Sequence, residues 1–147
     1  MRMKFFLTAG LAAALLLTVN VFPTEVNSME QEGQKRQAQK VVQTAGRDRL
    51  GGFAPDFAHY NDDVLFGEVW SRNDKLSLHD RSIVTVSALV ASGVLDSSLK
   101  FHIASAKKNG VTKEEMVEII TQLGFYAGWP KAWAAFAMAK EVYGDEK

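Results

Sequence analysis

Cysteine is absent from the 147-residue chain. That excludes disulfides, thiolate metal sites, thiol peroxidase chemistry and lipid attachment through a cysteine. Net charge is absent too, 17 basic residues standing against 17 acidic ones. A balance of this kind carries no electrostatic footprint for nucleic acid, and no nucleic-acid partner is expected. Strand-like alternation and solenoid repeats are missing as well. The three histidines, His59, His79 and His102, show neither Glu-x-x-His nor His-x-x-x-His spacing, so no metal site is expected. Proline occurs three times, and each instance falls at a boundary: Pro23, Pro55 and Pro130.

What is present begins with an export segment. Arg2 and Lys4 precede an uncharged run, FFLTAGLAAALLLTVNVF, which Pro23 breaks. Val26, Asn27 and Ser28 then offer a small-residue cleavage site, so residues 1–28 read as a signal peptide. An uncleaved anchor is the competing reading. Thr8, Gly10, Thr18 and Asn20 weaken that run as a membrane span. The expected product is an exported protein, periplasmic or secreted, with no stable membrane anchor. Its cleavage would remove Arg2, Lys4 and Glu25 and leave the protein near neutral. A polar leader follows over residues 29–52. Ala38, Val41, Val42 and Ala45 recur at three- and four-residue spacing, which predicts helix in its second half, stopped by Gly46 or by Gly51 and Gly52.

From residue 53 the pattern is helix, turn, helix, and the predicted class is all-α with about six helices. Pro55 suits a first helical turn. Phe57, Tyr60, Val64, Leu65 and Val69 repeat at helical intervals, with Asn61, Asp62 and Asp63 placed to split the region in two. Ser77 with Asp80 predicts a helix start, and Ile83, Val86, Ser87 and Val90 form an apolar stripe ending at Gly93. Asp96 or Ser97 caps a helix whose inner face is Leu99, His102, Ile103 and Ala106. Thr112 with Glu115 predicts a capping box, with Val111 against Met116 as its hydrophobic staple. Pro130 opens an alanine-rich last helix to Tyr143, whose small side chains allow close helix approach.

Four blocks, FGEVWSR, LSLHDRSIVTVSALVASG, LKFHIASAKKNGVTKEEMVEII and LGFYAGWPKAWAAF, together resemble the carboxymuconolactone decarboxylase family. The resemblance spans about residues 55–142. It implies an alkylhydroperoxidase D-like helical protomer, assembled into a ring such as a homotrimer or homohexamer, without metal or organic cofactor. One branch of that family carries a Cys-x-x-Cys pair four residues before a histidine. With His102 as that histidine, Leu95 and Ser98 occupy the cysteine positions, so the chain resembles the branch without the pair.

Alone, His102 reads as a partly buried core histidine; the resemblance makes it the acid/base of a decarboxylation. Glu68 and Arg72 stand in the favoured order for a helix ion pair, which is the plain reading. Phe66 and Trp70 would shelter that pair, and the resemblance makes Glu68 instead the expected partner of His102. Arg72 or Arg81 is the expected anchor for a substrate carboxylate, through a planar donor fork. Asp80 and Arg81 read equally well as a helix cap and an inter-subunit bridge. Trp70, Tyr126 and Trp129 are candidate pocket walls, Tyr126 and Trp129 lying with Trp133 around Gly124, Gly128 and Pro130; core packing is the alternative. Lys107 and Lys108 read as a solvated helix end. The expected function is a cofactor-independent decarboxylation of a small carboxylated lactone such as 4-carboxymuconolactone. Two alternatives stand beside it: an oligomeric binding or scaffold protein of the same shape, and an enzyme acting on another lactone, a quinone or a keto acid.

Overall fold

The computed structural model describes residues 37–144, all helix and loop. The expected signal peptide and the first part of the polar leader lie outside the described residues. Among the described residues there are six α-helices: α1 (Ala45–Leu50), α2 (Pro55–His59), α3 (Leu78–Ser92), α4 (Ser97–Lys108), α5 (Lys113–Tyr126) and α6 (Trp129–Tyr143). Between α2 and α3, a π-helical stretch (Tyr60–Trp70) continues α2 without a break. The chain has the all-α, alkylhydroperoxidase D-like helical architecture expected of it.

Local chemistry sets the helix starts. Ser77 Oγ accepts the Asp80 N–H at 3.0 Å, and the Asp96 carboxylate accepts the Ser98 N–H at 2.8 Å. At α5 the capping box closes in both directions: Glu115 N–H donates to Thr112 Oγ1 at 3.1 Å, and Thr112 N–H to Glu115 Oε2 at 2.8 Å. These caps satisfy amides that have no partner inside their own helix.

Helices α3 to α6 pack around one core. Val86 and Val90 of α3 meet Leu99, Ile103 and Ala106 of α4, and Met116 and Ile120 of α5. Ala132, Ala135 and Ala139 form the buried stripe of α6 and let that helix lie close to α4 and α5. Tyr143 closes the far end, its buried hydroxyl donating to the Val111 carbonyl at 2.8 Å. At the other end the Trp129 ring lies directly over Gly124, where a Cβ would collide with Cε3 and Cζ3 of the indole. Glycine is needed there for space.

The amino-terminal elements pack on one another. Asp62, in the π-helical stretch, has a buried carboxylate that accepts the Gly46 and Arg47 N–H groups at 2.9 Å each and the Asn61 side-chain amide at 2.8 Å. Burial works to raise its pKa. Hydrogen bonds from the Arg47 N–H, the Asn61 amide and the Gly46 N–H, together with the Arg47 charge, nevertheless hold it below the usual carboxylate value. A side chain at position 46 would meet Asp62 Oδ1 at 2.7 Å, so Gly46 is what admits the carboxylate to the start of α1.

Three expectations are corrected. Residues 37–44 are not helical; their polar groups find distant partners instead. Gln39 and Asn73 exchange two hydrogen bonds, at 2.9 and 2.7 Å, Val41 N–H donates to Ser71 Oγ at 2.8 Å, and Lys40 Nζ donates to the Gly67 carbonyl at 3.0 Å. Helix begins only at Ala45, once Asp62 is there to receive its first amides. Secondly, Asn61 to Asp63 do not divide the helix; its winding loosens to the i→i+5 pattern instead. Thirdly, among the described residues Glu68 and Arg72 form no ion pair. Arg72 lies beyond the helix end at Trp70, so the helical i,i+4 geometry does not extend to it.

Candidate active site

Helix α4 has two faces. Leu99, Ile103 and Ala106 enter the core, while Phe101, Ser105 and Lys108 look the other way and His102 lies on the flank between the two. Phe101, His102, Ser105 and Lys108 form the floor of a cleft of about 330 Å³. Phe66 and Trp70 form one wall, their rings 5.7 Å apart and tilted by 32°. Leu78 and the extended residues 41–43 close the remaining sides. The volume suits a small organic molecule.

His102 sits mid-floor, half-buried, with the Phe101 ring edge-on at 5.2 Å. Among the described residues its imidazole makes no hydrogen bond. Burial lowers its pKa below the ordinary histidine value, because a cation there loses hydration and gains no carboxylate. Asn109 marks the end of the cleft and is fixed by donating to Ser82 Oγ at 2.9 Å, which in turn donates to the Leu78 carbonyl at 2.7 Å.

Of the residues named from sequence, His102 and Trp70 share this cleft. Glu68 is exposed and lines an adjoining groove with Lys40, Arg47 and Asp63; residues 41–43 stand between the two. Arg81 is engaged elsewhere, its Nε donating to the Leu76 carbonyl and its terminal nitrogen to the Arg72 carbonyl, both at 3.1 Å. It thus staples the loop before α3. The Arg72 side chain is exposed and does not line the cleft. Trp129 and Tyr126 belong to the α5–α6 corner, where Trp129 borders a separate shallow hollow with Trp133 and Phe136, and Tyr126 is exposed.

Sequence reasoning passed over three contributors. Lys108 reads from sequence as a helix-end cation, since at an offset of six it stands about 120° round α4 from His102; the cleft reaches both. Phe101 was visible only as a neighbour of His102. Residues 41–43 carried no signal, since their place depends on partners some thirty residues away. Among the described residues no group of three or more His, Asp or Glu side chains is arranged to hold a metal ion.

Comparison with known proteins follows this geometry. The profile of the carboxymuconolactone decarboxylase family matches residues 55–141, which carry the π-helical wall and all of α3 to α5. A 4-carboxymuconolactone decarboxylase from Acinetobacter baylyi is 42% identical over 98 residues, covering 67% of this chain and 72% of that protein. An uncharacterized 15.0 kDa protein of Paracoccus denitrificans, from the nqo9-nqo10 intergenic region, is 29% identical over 85 residues, 57% of this chain and 63% of its own length. With Leu95 and Ser98 where a Cys-x-x-Cys pair would stand, the chain belongs to the carboxymuconolactone decarboxylase family, in the branch without that pair.

Proposed function

We propose that this protein is a cofactor-independent decarboxylase of a small carboxylated lactone, of which 4-carboxymuconolactone is the first candidate. The observation that carries the reading is His102: an imidazole without a hydrogen-bonding partner among the described residues, facing a cleft with aromatic walls. The similarity to the Acinetobacter decarboxylase supplies the reaction class.

The chemistry is as follows. The bond from the lactone γ-carbon to its carboxylate breaks and CO2 departs. The electron pair passes through the ring double bond onto the lactone carbonyl oxygen, giving a dienolate. The pair then returns to form a C–H bond, with His102 as imidazolium supplying the proton and solvent restoring it. Donation from the same ring to the developing oxyanion lowers the barrier. A bound dianion favours the imidazolium and so offsets the effect of burial on His102.

The protein is further proposed to act outside the cytoplasm, on the strength of residues 1–28, and as a homotrimer or homohexamer. Support for assembly comes from the α5–α6 corner, where Phe125, Tyr126 and Trp133 are 79%, 85% and 70% exposed. Glu68, Arg72, Tyr126 and Trp129 then have a place at subunit boundaries. Sedimentation velocity of the purified chain reads the assembly directly.

The deciding experiment follows loss of lactone absorbance and release of CO2 by the purified full chain given 4-carboxymuconolactone. The expected result is turnover that His102→Ala abolishes, with the helical circular dichroism unchanged. A folded wild-type protein without turnover would overturn the reading.

A further inference from the structure

We infer that Lys108 anchors the substrate in the His102 cleft, and that it holds the carboxylate the substrate keeps rather than the one it loses. The inference rests on the decarboxylase reading above and narrows it. The preferred substrate is a lactone bearing a second carboxylate on a short arm, as 4-carboxymuconolactone does.

A dianion needs a cation, and among the described residues the cleft offers one besides His102. Arg81 has spent its fork on two carbonyls. Lys40 Nζ is bonded to the Gly67 carbonyl. Lys108 lines the cleft, is exposed at its mouth, and has no ion-pair partner among the described residues. Six residues beyond His102, it is displaced by about 9 Å along the helix axis. Side chains of a helix lean toward its amino terminus, so the four-carbon stem of Lys108 reaches back along the axis toward the level of His102, about 120° round the helix from it, and both line the one cleft.

Energetics decide which carboxylate is held. The charge on the departing carboxylate disappears as CO2 forms, so a cation beside it stabilises the ground state more than the transition state and slows the reaction. The charge on the retained arm persists throughout, so a cation there tightens binding equally in both states. Lys108 at the mouth, with the aromatic walls around the ring, fits the second arrangement. The departing group then lies among Phe66, Trp70 and Phe101, which offer it no neutralising charge.

The test compares full-length wild type, Lys108→Met and Lys108→Arg in steady-state kinetics on 4-carboxymuconolactone and on its monoester, in which the arm is methylated. Lys108→Met is expected to raise KM about tenfold or more, the scale of a charged hydrogen bond, and to leave kcat unchanged. Lys108→Arg should restore most of the lost affinity. The monoester should bind wild type and Lys108→Met equally weakly. Turnover with an unchanged KM in Lys108→Met, or a loss confined to kcat, would overturn the anchor while leaving the decarboxylase reading intact. No turnover by folded wild type would overturn both. Lys108 is exposed, and circular dichroism of each variant checks that folding is unaffected.

Discussion

His102 and His79 show how one residue type is driven in opposite directions by its surroundings. Burial pulls the His102 pKa down. His79 is bonded through Nδ1 to Asp80 at 2.9 Å and through Nε2 to Glu115 at 3.2 Å; Asp80 first and Glu115 second raise its pKa. Two pH dependences follow. If His102 must be protonated to act, kcat/KM falls as pH rises through its lowered free-enzyme pKa, while the corresponding fall in kcat comes at higher pH because the bound dianion favours the imidazolium. Parallel pH profiles of both constants check this. For His79 the linkage concerns stability: a raised folded-state pKa stabilises fully below the unfolded value near 6.5, and the contribution disappears as pH rises through the folded value. His79→Gln is therefore expected to lower the urea midpoint at pH 6 and to leave it nearly unchanged at pH 9.

Among the elements, α6 and the extended segment at residues 37–44 are held by different means. The end of α6 is fixed to the α4–α5 turn by Tyr143 Oη on the Val111 carbonyl, both residues being buried. Tyr143→Phe leaves that carbonyl short of a donor and should cost about 1–3 kcal/mol in denaturant unfolding. Residues 37–44 are held by hydrogen bonds that are exposed, as in the Gln39–Asn73 pair, or part-buried, as at Lys40 and Val41. Asn73→Ala removes both bonds of that pair, and hydrogen exchange at residues 39–43 should accelerate while the core helices keep their protection. Helices α3 to α6 were legible from sequence because their signals are local: Thr112 and Glu115 are three residues apart, and Val86 and Val90 four. The fate of residues 37–44 was not legible. Ala38, Val41, Val42 and Ala45 keep helical spacing, but the acceptor of the Val41 amide lies thirty residues on, at Ser71. The π winding had no local signature either, and the helix end at Trp70 leaves Arg72 outside the helix that the Glu68–Arg72 spacing implied.

For the molecule as a whole, the cleft draws on both kinds of element. Its floor is α4, rooted in the core by Leu99, Ile103 and Ala106. One of its sides is the extended segment, whose anchoring bonds are exposed or only part-buried. His102 could be named from sequence because it belongs to the well-specified floor, and the lining at residues 41–43 could not because it belongs to the other part. The fold and the complete site therefore need not melt together. Local opening of residues 37–44 is expected to require less free energy than unfolding of α3 to α6. On heating, turnover is expected to fail several degrees before ellipticity at 222 nm declines, and to return on cooling from that interval. The durability of the catalyst would then be set by a few hydrogen bonds at its rim, and strengthening that rim should extend its working temperature without any change to the core.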